Sequence, residues 1–66
     1  MTKLELIQLL RGKGETYRQR TKFTLEETLK AQKRVIKEAV DLGFGVTKEE
    51  AIEAIAYGYT NIGGVK

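Results

Sequence analysis

Hydrophobic and polar residues recur with the period of an amphipathic helix in three stretches of the chain. The first stretch, Thr2 to Leu10, places its leucines mainly on one face, and Glu5 follows Thr2 by three residues in a capping-box pattern. Two glycines, Gly12 and Gly14, come next in the segment R-G-K-G. Because glycine commonly ends helices and forms turns, the pattern predicts a short N-terminal helix that stops there.

The second stretch runs from Thr24 to about Leu42 and predicts one long helix. Thr24 and Glu27 form another capping box, and Gly43 is placed to end the helix in a left-handed conformation. The helical period gathers an apolar stripe on one face of this stretch. The stripe contains Leu25, Leu29, Ile36 and Val40, with Gln32, Val35 and Ala39 at its edges.

The third stretch predicts a helix that begins at Thr47, where T-K-E-E gives a further capping box. In the turn before it, the apolar residues Phe44 and Val46 are expected to fill the core. Residues 61–66 are glycine-rich and are expected to form a flexible tail. The buried stripe of this helix is predicted to contain Ala51, Ile52, Ile55, Ala56 and Tyr59.

Between the first two helices, Glu15 to Phe23 is a candidate β-strand. Its side chains would alternate between two faces, and the Thr24 cap fixes their phase relative to the following helix. Three cations would then share the outer face, opposite a half-apolar inner face. The outer residues are Arg18, Arg20 and Lys22, and the inner ones are Tyr17, Gln19, Thr21 and Phe23.

Composition narrows the possible functions. A chain of 66 residues forms one domain at most, and without cysteine or histidine it can form no disulfide, zinc finger or histidine-based catalytic site. We therefore expect no enzyme activity, cofactor or metal. The net charge is +3, and residues 1–23 hold six cations against two anions, which is typical of a phosphate-binding surface. No apolar run could span a membrane or act as a signal peptide, so we expect a cytoplasmic protein.

The order of these elements resembles the ribbon–helix–helix DNA-binding family of the Arc, MetJ and CopG type. Residues 18–59 carry the resemblance: R-Q-R-T-K-F as the strand, T-L-E-E-T-L opening the first helix, and D-L-G-F-G-V-T-K-E-E-A-I as the turn and the start of the second. The resemblance implies an intertwined homodimer whose paired strands enter the major groove of double-stranded DNA. The fold would be mainly α, with residues 1–14 as an N-terminal extension and residues 16–60 as a strand–helix–helix core.

The resemblance also implies the roles of particular residues in a small transcriptional repressor. Arg18, Arg20 and Lys22 would contact bases, while Thr47 and Lys48 at a helix start would bind phosphate through backbone N–H groups. We add Lys13, in the basic segment, as a further phosphate contact.

A second interpretation stays open from the residues alone. The chain could be a small three-helix bundle that acts as an inhibitor or adaptor of a partner protein. Its N-terminal helix would then supply a binding surface, and the arginines would face an acidic partner. The apolar residues of that surface are Leu4, Leu6, Ile7 and Leu10.

Overall fold

The structure, a computed structural model, describes residues 1–61, and every regular element in that range is an α-helix. The predicted strand and the ribbon–helix–helix fold are therefore wrong. The three-helix bundle fits when the second and third of the four helices, which a single residue separates, count as one. Residues 62–66, most of the predicted flexible tail, lie outside the described residues. The helices are α1 (Lys3–Arg20), α2 (Leu25–Ala31), α3 (Lys33–Asp41) and α4 (Lys48–Thr60).

The segment predicted as a strand is the second half of α1. The helix does not stop at its glycines but continues to Arg20, where the N–H and hydroxyl of Thr21 both donate to the Tyr17 carbonyl, at 3.0 and 2.6 Å. Arginine, lysine and glutamine have good helix propensity, so the segment had little local preference for a strand. Packing along α4 decides the outcome, because only a continuous helix brings this half of α1 onto the core.

Two glycines explain how closely α1 and α4 approach. Gly14 is buried, and a Cβ atom there would collide with the Ile55 carbonyl oxygen and lie 2.8 Å from the Tyr59 nitrogen. A Cβ atom at Gly58 would collide with the Arg11 carbonyl group, 2.7 Å from its carbon. Gly14 is thus a contact residue of a helix crossing, not the helix terminator that the sequence predicted.

The core lies where α1, α3 and the turn after α3 meet α4. Val46 in that turn is buried, as predicted, but Phe44 remains 36% exposed and does not fill the core. Gly43 has a φ of +80°, which confirms the predicted left-handed position. The buried apolar residues are Leu6, Leu10, Ile36, Ala39, Val46, Ala51, Ala54 and Ile55.

The predicted long helix is broken at Gln32, whose φ of −92° and ψ of 8° separate α2 from α3. Thr28 and Gln32 are buried on the core side of this kink, although both are polar. The predicted apolar stripe is only partly the buried face. Ile36 and the edge residues Gln32 and Ala39 are buried. Leu29 is half-buried and Val40 is exposed.

All three predicted capping boxes are confirmed. In each box the threonine hydroxyl accepts from the N–H of the glutamate three residues on, and that carboxylate accepts from the threonine N–H. Glu50 closes the box of α4 and also pairs with Lys3 Nζ at 3.0 Å, which joins the starts of α4 and α1. The N–H of Thr47 and, to a lesser extent, Lys3 hold the pKa of Glu50 below its ordinary value.

This shift predicts the pH dependence of stability. The folded state lowers the pKa of Glu50. The contribution of this carboxylate to the free energy of unfolding is therefore complete above the ordinary pKa of 4.5, and it is lost as the pH falls through the lower folded pKa. Unfolding titrations from neutral to acid pH should therefore show a smaller acid loss for Glu50→Gln than for the natural chain. Glu49→Gln removes a carboxylate from the same turn but leaves the cap and Lys3 in place, so it should keep the natural curve. Equal acid losses in the natural chain and Glu50→Gln would contradict this prediction.

Candidate functional site

An apolar groove runs along the surface between the α2–α3 pair and α4. Its floor is formed by Leu29, Ile36 and Val40 on one side and Ile52 on the other. Ile36 is buried, Leu29 and Ile52 are half-buried, and Val40 is 37% exposed. The residues that line the groove all belong to α2, α3 and α4, and α1 packs elsewhere on α4. The groove is thus a continuous apolar surface that α1 does not line.

The position of the buried face on α2–α3 explains why part of the apolar stripe lines a groove. With Thr28, Gln32 and Ala39 buried, the core-facing side of α2–α3 lies toward one edge of the stripe predicted by helical periodicity. Leu29 and Val40, eleven positions apart, therefore line the surface groove with Ile36 between them. The opposite part of the stripe is thus left uncovered.

Cations dominate the edges of the groove. Five basic residues line it, against the two acidic residues Glu26 and Asp41, and all seven are exposed. Within residues 1–61 the single ion pair is Lys3 with Glu50, so no carboxylate lies within 4.0 Å of these cations. The basic residues are Lys30, Lys33, Arg34, Lys37 and Lys48.

The residues predicted to contact bases lie at the end of α1 and beyond it, outside this groove. Arg18 and Arg20 occupy the last turn of the helix, and two positions on a helix project about 200° apart. The Arg18 guanidinium lies over the ring of Tyr59, 5.2 Å from its centroid. Lys22 lies in the connection between α1 and α2. The three cations therefore lack the common face that a strand would have given them.

The predicted phosphate contacts are divided between two places. Thr47 and Lys48 are adjacent at the start of α4, where the Thr47 N–H already donates to the Glu50 carboxylate at 3.1 Å. Lys48 is exposed and lines the apolar groove. Lys13 is half-buried on α1 and lines a separate shallow depression. The structure therefore does not gather these three residues into one site.

The N-terminal helix also differs from the predicted binding surface. Leu6 and Leu10 are in the core, and Ile7 is half-buried against it. Only Leu4, at 61% exposure, is largely open to solvent. The groove was not predicted as a site, although a signal was present: the stripe residues Leu29 and Val40 bracket a run rich in lysine and arginine.

The described residues contain no group of three or more residues suited to holding a metal ion. None of the helices over residues 1–61 is both long and apolar enough to cross a membrane. The chain matches no known sequence family, no curated protein and no solved structure.

Proposed function

We propose that this protein is a small helical interaction module whose groove binds an amphipathic helix of a partner protein. The observation that supports the proposal is the apolar floor of the groove, where Val40 is exposed and Leu29 and Ile52 are half-buried beside the buried Ile36. Apolar surface of this kind is stabilised when a partner removes it from water, and an amphipathic helix in a groove is a recurring way to do so.

The length of the groove suits a helical partner. Leu29 and Val40 are eleven residues apart, which corresponds to roughly 16 Å along a helix axis. A partner helix of about three turns would cover this distance, with apolar side chains at positions i, i+3 or i+4, and i+7 facing the floor. Such a helix would pack against both walls, as a third helix does in a bundle.

DNA binding is the second candidate, supported by the exposed cations Arg20 and Lys22 at the end of α1. Phosphates and base edges would leave the apolar floor of the groove uncovered, so we favour a protein partner. The predicted homodimer rested on an unpaired strand edge, and no strand occurs among residues 1–61. Homodimerisation and a cytoplasmic location both stay predictions.

Fluorescence anisotropy with a labelled amphipathic helical peptide of about 18 residues tests the proposal. We expect Val40→Asn to weaken binding about tenfold, because it places an unpaired amide against the apolar face of the peptide. Leu9→Asn is the matched control, since Leu9 is an exposed apolar residue outside the groove, and it should bind like the natural chain. Equal affinities for the two variants would overturn the proposal. Tight binding of duplex DNA by both variants, with no peptide binding, would favour the DNA candidate.

A further inference from the structure

The cations beside the groove lie on both sides of its apolar floor, as a row on α2–α3 and as the single Lys48 on α4. The i→i+4 hydrogen bonds from the Gln32 N–H to the Thr28 carbonyl and from the Ile36 N–H to the Gln32 carbonyl, both 2.9 Å, carry the helical register across the kink. Lys30, Arg34 and Lys37, spaced by four and three positions, therefore lie along one ridge of α2–α3. On the other wall, Lys48 precedes the floor residue Ile52 by four positions and shares its face of α4. The apolar floor thus has positive charge on both sides.

The charge is concentrated at the middle of the groove. Glu26 lies four positions before Lys30, and Asp41 lies four positions after Lys37, so an acidic residue marks each end of the ridge. None of the cations has a carboxylate within 4.0 Å in the described part of the chain. A ligand that brings negative charge to the central turns would therefore gain attraction without displacing an existing ion pair.

On the basis of the proposed function, we infer that the partner helix is acidic. Its apolar stripe contacts Leu29, Val40 and Ile52, and aspartate or glutamate side chains flank that stripe on both sides. The carboxylates on one flank pair with Lys30, Arg34 and Lys37, and those on the other flank pair with Lys48. The two ends of the helix, which approach Glu26 and Asp41, carry no excess of negative charge.

Charge also argues against other occupants of the groove. A second copy of the chain that brought the same groove face to face would oppose five cations to five cations. DNA supplies the negative charge but no apolar side chain for the floor. An anionic lipid surface supplies both, but a flat surface would leave a concave floor incompletely filled, whereas a helix enters it.

The experiment compares three helical peptides with the same length and the same leucine stripe. Their flanking polar positions carry glutamate, glutamine or lysine. The acidic peptide should bind at least tenfold more tightly than the neutral one at low salt, and the basic peptide should bind most weakly. Because the pairs are exposed, the advantage of the acidic peptide should shrink several-fold by about 0.5 M salt.

A charge-reversal variant identifies the residues responsible. The double variant Arg34→Glu with Lys37→Glu changes two exposed side chains that line the groove without entering the core. It should lose the preference for the acidic peptide and bind the basic peptide more tightly than the natural chain does. The control, Arg20→Glu with Lys22→Glu, makes the same change in net charge outside the groove and should keep the acidic preference. Far-UV circular dichroism of both double variants tests whether each keeps its helical fold.

The outcomes separate this inference from the proposed function. If all three peptides bind equally and Val40→Asn weakens each of them, the groove binds helices but the acidic partner is wrong. If no peptide binds, or if Val40→Asn leaves peptide binding unchanged, both the proposed function and the acidic partner are wrong. If only duplex DNA or anionic phosphatidylserine vesicles bind, and the Arg34 and Lys37 variant abolishes that binding, the cations are functional but the partner is not a helix.

Discussion

Replacing Gly58 by alanine should lower the free energy of unfolding by about 2 kcal/mol, the typical cost of forcing an extra carbon into a packed contact. The added Cβ atom would meet the carbonyl group of Arg11, which belongs to the backbone of α1 and cannot rotate away as a side chain could. Alanine favours a helix over glycine by up to about 1 kcal/mol, so propensity alone predicts the opposite sign. The same argument applies to Gly14→Ala, where the added atom would meet the backbone at Ile55 and Tyr59.

Gly12 provides the matched control for both substitutions. It lies on the same helix as Gly14, but nothing is within 4 Å of the position that its Cβ atom would occupy. Gly12→Ala should therefore stabilise the protein by about 0.5–1 kcal/mol through helix propensity. Urea unfolding of the three variants measures the difference. If all three glycine substitutions stabilise the protein, the close crossing of α1 and α4 is wrong.

Truncating Leu10 to alanine should lower the free energy of unfolding by about 3 kcal/mol. The side chain is 0% exposed and belongs to the core cluster, so its loss removes transfer free energy and leaves a cavity. A domain of this size has a total stability of roughly 3–10 kcal/mol, so the truncation should remove about a third of it or more and clearly lower the unfolding temperature.

The adjacent leucine is the control for this truncation. Leu9 is 51% exposed, and Leu9→Ala should cost less than about 1 kcal/mol because alanine has good helix propensity and little apolar surface is lost. Thermal unfolding followed by circular dichroism compares the two variants. Similar losses at both positions would mean that the face of α1 assigned to the core is wrong.

The helix starts could be predicted from the sequence because capping is local. Thr2, Thr24 and Thr47 each need only a glutamate three residues later to satisfy the free N–H groups of a first turn. Gly43 was equally predictable, since a left-handed residue after a helix is a property of a few neighbouring residues. These features gave the position of three helix starts and one turn.

The course of α1 could not be predicted locally. Whether Gly14 ends a helix or lets another helix approach depends on the backbone at Ile55 and Tyr59, which lie 41 and 45 positions away in the sequence. The alternating cations that suggested a strand are also compatible with a helix, because arginine, lysine and glutamine have good helix propensity. Tertiary packing therefore decided the conformation of this segment. Without a strand, Arg18, Arg20 and Lys22 do not share one face.

The groove could not be predicted from the sequence for a related reason. Periodicity identified Leu29, Ile36 and Val40 as one stripe, and such a stripe is ordinarily assigned to the core. The buried face instead lies nearer Thr28, Gln32 and Ala39. The pattern placed Gln32 and Ala39 only at the edges of the stripe, and the burial of Thr28 could not be predicted because polar residues are rarely fully buried. The sequence therefore indicated which apolar residues share a helix face. Only the packing of the helices showed that part of this face stays at the surface.

The most direct test of the groove as a binding site is methyl NMR during titration with the acidic helical peptide. We predict that the methyl signals of Leu29, Val40 and Ile52 shift most, while those of Leu4 and Leu9, which are exposed on α1, stay in place. Shifts concentrated on Leu4 and Leu9, with the three groove residues unchanged, would contradict the assignment of the groove as the binding site.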